Sequence, residues 1–255
     1  MSSNTWTPEE LSSSAAPFSG KCWRVVEAQH LVSTTKLTDT AAEQTIIENL
    51  IEESKPAIPP ECRHLNYLLY TPFRYSPYPQ GSRFRRANSP VGVFYSSEEP
   101  TTAVAEKAFY RLLFFAESPA TPWPSNPGQY TVFKVAITAD MALDLTKSPL
   151  NTDHRFWTDL SDYTKCQELA DAARAEDIDV IRYQSVRDPN RKANLAILRC
   201  RAFAQHKPTA QQTWRFHFDA SGVRAICEAP GETLSFVRET FAADPRMGDF
   251  NWERG

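Results

Sequence analysis

Apolar positions recur along the chain with two periods, and the two rarely overlap. From Thr40 onward Ile46, Ile47, Leu50 and Ile51 return at helical spacing until Lys55-Pro56 ends the run. Thr40-x-x-Glu43 reads as a capping box in front of them, so the pattern predicts an amphipathic helix lying on a core. A second stripe, Ala105, Ala108, Phe109, Leu112, Leu113 and Ala116, follows two candidate caps, Thr101 and Thr102. Glu106 falls at the edge of that stripe beside Leu113, so its carboxylate is expected to lie along the protein surface of the helix rather than in open water.

Elsewhere the period shortens. "KCWRVVEA", "GVFYSS", "YTVFKVAI", "DVIRYQS" and "NLAILRC" read as strands, as do "TWRFHF" and "VRAICE", whose connection Asp219-Ala220-Ser221-Gly222 has hairpin spacing. Two more helices are expected over about residues 160–175 and 233–241. Strands and helices mix without strict alternation or repeat, which predicts an α+β fold of mixed, mostly antiparallel sheets with flanking helices.

Residues 1–18 are rich in Ser, Thr and Pro and read as a loosely held tail, residues 19–228 as the main domain, and residues 229–255 as a C-terminal extension without an assignable role. Between Pro56 and Pro90 runs a long connection rich in proline, tyrosine and arginine. Connections of this length are functional or disordered, and Tyr67, Tyr70, Phe73, Tyr75, Tyr78 and Phe84 have too much surface to bury for the second.

Composition narrows the function. A chain of 255 residues, 41% of them apolar, can bury a substantial core. A net charge of −3 gives no reason to expect nucleic acid or an anionic membrane as partner, so any anion must be held by a local arginine cluster. The five cysteines form no C-x-x-C pair and read as reduced thiols of a cytoplasmic protein, and the five histidines are too scattered for a metal centre. No segment resembles a membrane span or signal peptide. Dinucleotide-binding, P-loop, zinc-protease and nucleophile-elbow motifs are absent.

What remains is "GSRFRRANSPVGVFYSSEEPTTAVAEKAFYR", residues 81–111. Arg83, Arg85 and Arg86 lie between turn residues, and the planar guanidinium fork suits phosphate oxygens, although a solvated basic loop has the same composition. "GSRF", the Tyr95 of "GVFYSS", Glu106 eleven residues later, and "RYQSVRDPNRKANLAIL" with Ser185 and Asn194 nine apart occur in this order. In that order they resemble the RES domain, a family named for its arginine, glutamate and serine. The likeness runs from "CWRVVEAQH" through "TPFRY" to about residue 200. It assigns the family tyrosine to Tyr95, the glutamate to Glu106, the serine to Ser185 and the following polar residue to Asn194. The Arg83-Phe84 pair favours Arg83 as the family arginine, while a spacing of ten residues before the tyrosine would select Arg85.

The resemblance implies an ADP-ribosyltransferase-like fold that consumes NAD as substrate, with no further cofactor, by phosphorolysis with inorganic phosphate or by hydrolysis. It also implies a toxin restrained by an Xre-like antitoxin, and a homodimer. The residue chemistry is compatible. Nicotinamide leaves as a neutral pyridine and needs no proton, so one carboxylate suffices where a glycosidase needs two. Glu106 would meet the ribose, Arg83 the diphosphate, with Arg85 or Arg86 assisting. Tyr95 would offer its ring to nicotinamide and its hydroxyl to ribose, and Ser185 and Asn194 would hydrogen-bond a phosphate or the carboxamide. Arg74 is expected either in the same pocket or stacked among Phe73 and Tyr75 for structural reasons. Transfer of ADP-ribose to a macromolecule and a non-catalytic regulatory protein are the rival readings.

Overall fold

Three apolar clusters organise the chain, and the strand pairings explain why there are three. The computed structural model describes residues 6–28, 37–74, 77 and 79–254; His30, Tyr75, Tyr78 and the first five residues of the expected tail lie outside them. The strands are β1 (Ala16–Glu27), β2 (Phe94–Ser97), β3 (Gly128–Asp144), β4 (Val180–Gln184), β5 (Ala193–Ile197), β6 (Ala210–Asp219), β7 (Gly222–Cys227) and β8 (Thr233–Val237). They form one sheet in the order β1-β2-β5-β4-β3-β6-β7-β8, antiparallel throughout except for the short β3–β4 pairing.

β3 is long enough to work along its whole length. One edge pairs with β1, from Ala16 against Ala142 to Glu27 against Tyr130. The other serves β6 with residues 128–134 and β4 with residues 142–144. Because β1 meets both β2 and β3, the first five strands of the order close into a ring, filled by side chains such as Cys22, Phe94, Phe133, Val135, Leu195 and Ile197. Closure removes two exposed sheet edges.

Helices cover what the ring leaves open. They are α1 (Pro8–Ser14), α2 (Ala41–Ser54), the single turn α3 (Tyr67–Tyr70), α4 (Pro100–Glu117), the single turn α5 (His154–Trp157) and α6 (Thr164–Ala175). α6 packs Cys166, Leu169, Ala170 and Ala173 against Ile181 and Ala196, and α1 adds Leu11 to the same cluster. α4 lays Ala105, Ala108, Phe109 and Leu112 on the β6–β7 face, against Trp214 and Phe216. The hairpin β6–β7 turns at Gly222, whose φ of +134° and close approach to the Phe236 carbonyl exclude a side chain.

Several expectations give way here. Residues 6–18 are not a loose tail: Thr7 and Glu10 form a reciprocal capping box with Pro8 at the first helical position, and Trp6 Nε1 donates to Asp153 at 2.8 Å. α2 spans the expected residues, but it buries none of them, with Ile46 58% and Leu50 59% exposed. α4 starts at Pro100 without a side-chain cap, so Thr101 and Thr102 lie inside its first turn. Residues 233–237 form β8 instead of a helix, because Leu234 and Phe236 alternate with exposed residues at period two and dock on the core. Cys62 and Cys200, 138 residues apart, are joined as a disulfide between two short turns, while Cys22, Cys166 and Cys227 are free and buried. Among the described residues no helix is long and apolar enough to cross a membrane.

Candidate active site

The edge position of Glu106 on α4 brings its carboxylate against the ends of three strands. Oε1 accepts two hydrogen bonds, from Ser185 Oγ at 2.7 Å and from Asn194 Nδ2 at 2.6 Å. Ser185 sits where β4 ends, and its hydroxyl also accepts the backbone N–H groups of Arg187 and Asp188. Asn194 pairs in register with Tyr183 on one side and Ser97 on the other, and its Oδ1 accepts from Ser97 Oγ at 2.6 Å. The nine-residue spacing of Ser185 and Asn194 is thus the turn of the β4–β5 hairpin. Thr102 completes the frame by donating to Asp188 at 2.7 Å, which ties the start of α4 to that turn. Glu106 Oε2 accepts nothing among the described residues.

A cavity of about 870 Å³ opens beside Glu106. Its cations are Arg24, Arg83, Lys107, Arg187 and Arg246, against the carboxylates of Glu106, Glu117 and Asp162. The lining is therefore cationic in a protein whose net charge is −3, a local reversal that favours anions. Burial lowers the pKa of Lys107 from its ordinary value, partly opposed by Glu27, and burial followed by the Glu106 carboxylate pushes the Tyr183 hydroxyl well above the usual tyrosine range. Tyr183 is buried and lines the cavity two residues before Ser185, on the same face of β4.

The three clustered arginines separate. Arg83 is buried, donates to the Trp157 and Asp159 carbonyls at 2.8 Å each, and lies over the Tyr163 ring. None of these acceptors is a carboxylate, so its charge is positioned without being neutralised. Arg85 donates to the Ser89 carbonyl and Arg86 to Asp171 on α6, and neither lines the cavity, contrary to the expectation that they assist at the anion. Arg74 is buried outside the cavity lining, bound to Glu52 and to the Pro56 carbonyl and lying over the Tyr70 ring; the expected stacking on Tyr75 lies outside the described residues. Tyr95 does line the cavity, but its hydroxyl accepts the Phe84 N–H and bonds Ser82, so it fixes the loop that carries Arg83.

Sequence reasoning missed Arg24, Lys107, Tyr183, Arg187 and Arg246. Arg187 lies within "SVRDPN", two residues after Ser185, and Lys107 directly follows Glu106; position beside recognised residues was the available signal. Arg246 had none. No group of three or more His, Cys, Asp or Glu side chains among the described residues is arranged to hold a metal.

The sequence matches the RES domain over residues 58–219. The chain belongs to the RES domain family. Arg83, Tyr95, Glu106, Ser185 and Asn194 all fall within that span, and Arg246 falls outside it. The crystal structure of the M. tuberculosis MbcT–MbcA toxin–antitoxin complex is similar to this RES protein with a TM-score of 0.46 and 11% sequence identity, covering 80% of this chain and 89% of that chain. No curated protein matches the sequence.

Proposed function

We propose that this RES protein degrades NAD by breaking the bond between the nicotinamide nitrogen and ribose C1′. The observation that supports it best is the state of Glu106: one oxygen is anchored by two neutral donors, and the other is open toward a cationic cavity. A carboxylate held this way cannot swing, and its open oxygen faces whatever occupies the cavity. The electron pair of the cleaved bond leaves with the nicotinamide nitrogen and discharges its positive charge. An oxygen of water or of inorganic phosphate bonds to C1′ in its place, and any surplus proton passes to solvent. Glu106 Oε2 holds the ribose hydroxyls and opposes the positive charge that develops on the sugar. Arg83 supplies a fixed positive field for the diphosphate. In the cell such an enzyme acts as a toxin, restrained by an antitoxin of the Xre-like class that the family resemblance implies.

The test is nicotinamide release from NAD by the purified protein and by Glu106→Gln, with and without inorganic phosphate. Glu106→Gln keeps the shape and removes the charge, and loss of an electrostatic stabiliser of this kind costs about 10²- to 10³-fold in rate. Stimulation by phosphate identifies phosphorolysis, and its absence hydrolysis. Equal turnover by the two proteins would overturn the assignment of Glu106. Release only when a protein acceptor is present would select ADP-ribosyl transfer instead.

A further inference from the structure

The chain beyond the RES match returns to the cavity. After β8 it passes through short turns at Arg238–Phe241 and Pro245–Met247, and Phe241, Met247 and Phe250 anchor it in the same apolar cluster as α4. Between these anchors stands Asp244, whose side chain is fully buried. Its Oδ2 binds Arg187 Nη2 at 2.7 Å and Arg246 Nη2 at 2.9 Å, and its Oδ1 accepts the Nε and the backbone N–H of Arg246. Both guanidinium groups also donate to the Leu160 carbonyl, and both lie over the Phe109 ring, at 3.8 Å for Arg187 and 5.3 Å for Arg246.

One carboxylate between two arginines leaves a positive charge. Nη1 of Arg246, and Nη1 and Nε of Arg187, have no acceptor among the described residues, although Arg187 is only 4% exposed and both residues line the cavity. The Arg246 side chain is 29% exposed, so these donors remain open to an incoming anion, and guanidinium donors match phosphate oxygens in pairs. We propose that Arg187 and Arg246, clamped by Asp244, form a seat for a phosphate group, so that the C-terminal segment outside the family domain is part of the substrate pocket. The seat stands on its own geometry; only the source of the phosphate, the diphosphate of NAD or inorganic phosphate as acceptor, rests on the NAD reading above.

Calorimetric titration with inorganic phosphate and with pyrophosphate tests the seat without turnover, on the full chain, on Arg246→Gln and on Arg246→Lys. Loss of a charged hydrogen-bonding partner is expected to weaken binding of one or both anions by about tenfold or more in Arg246→Gln, with a smaller loss in Arg246→Lys, which keeps the charge and loses the fork. Unligated thermal melts show whether each variant is folded; if Arg246→Gln is not, Arg246→Lys carries the comparison. Steady-state kinetics then separate the sources. A raised KM for NAD alone places the diphosphate on the seat, and a raised KM for phosphate alone places the acceptor there. No anion binding by the wild-type protein, or wild-type affinity in a folded Arg246→Gln, overturns the seat whether or not NAD is cleaved. Arg246-dependent pyrophosphate binding by a protein that releases no nicotinamide keeps the seat and overturns the NAD reading.

Discussion

Glu106 lines the cavity and Asp244 is buried behind two arginines that line it, and the partners of these two carboxylates give them opposite tasks. Asp244 spends both oxygens, on two guanidinium groups and a backbone N–H. Burial would raise its pKa, but the hydrogen bonds from Arg246, side chain and backbone, and the charge of Arg187 outweigh that and hold it below the ordinary carboxyl value. Glu106 receives only neutral donors, on one oxygen. A carboxylate saturated by cations can only support its neighbours, whereas one with an open oxygen and uncharged props is available to a cationic substrate. The difference teaches that function here is read from what each group leaves unpaired rather than from residue type.

The comparison breaks most visibly at Asp244. Asp244→Ala leaves Arg187 buried without a counter-charge, and removing one partner of a buried pair costs about 3–5 kcal/mol. Urea melts at neutral pH should show that loss. The stabilisation carried by this depressed carboxyl is complete above the unfolded-state pKa of about 3.9 and disappears as pH falls through the lower folded value. Melts of wild type and variant should therefore converge on acidification; parallel curves down to acid would deny Asp244 its charged role.

Ser185 sharpens the other side. Ser185→Ala removes one of the two donors to Glu106 Oε1 and leaves the carboxylate freer to turn. A hydrogen bond to a charged group contributes about 1.5–3 kcal/mol, so kcat/KM for nicotinamide release should fall roughly ten- to hundredfold. Asn194→Ala should behave alike, since its amide is the second prop. A variant of either residue that lowers stability but not rate would make the pair a packing device.

How legible these roles were in the sequence follows from how local they are. Ser185 and Asn194 are joined by one hairpin, and Glu106 follows Tyr95 by one strand end and two helical turns, so their order and spacing were regular enough to carry the resemblance to the RES domain that groups them. The strands from β2 to β7 were legible as short runs rich in β-branched and aromatic residues; period two survives in β6 and β7, whereas every residue of β5 is buried. α2 shows the limit: its apolar stripe fixes which face is apolar but not whether anything packs on it, and Ile46 and Leu50 stay exposed. α1 carried a complete starting signal, Thr7-Pro8-x-Glu10, that the surrounding Ser and Thr obscured. In residues 233–237 the alternation of Leu234 and Phe236 competed with a helical reading and won through docking against the core. Arg246 and the Cys62–Cys200 link were illegible because both depend on where distant segments meet.

The smallest expected effect decides which arginine the family spacing selects. Arg86 and Asp171 are each about half exposed, and exposed ion pairs contribute roughly 0–1 kcal/mol. Arg86→Ala and Arg85→Ala should therefore leave the KM for NAD within about twofold of wild type, because neither guanidinium lines the cavity and the charges reaching it are unchanged. Arg83→Ala should raise that KM more than either, since it removes a buried charge together with the support of the Trp157 and Asp159 carbonyls. Steady-state nicotinamide release from the three variants makes the comparison. If Arg85→Ala proves the most damaging, the loop must turn over when substrate binds, and the family arginine lies two residues further along than the Arg83-Phe84 pair places it.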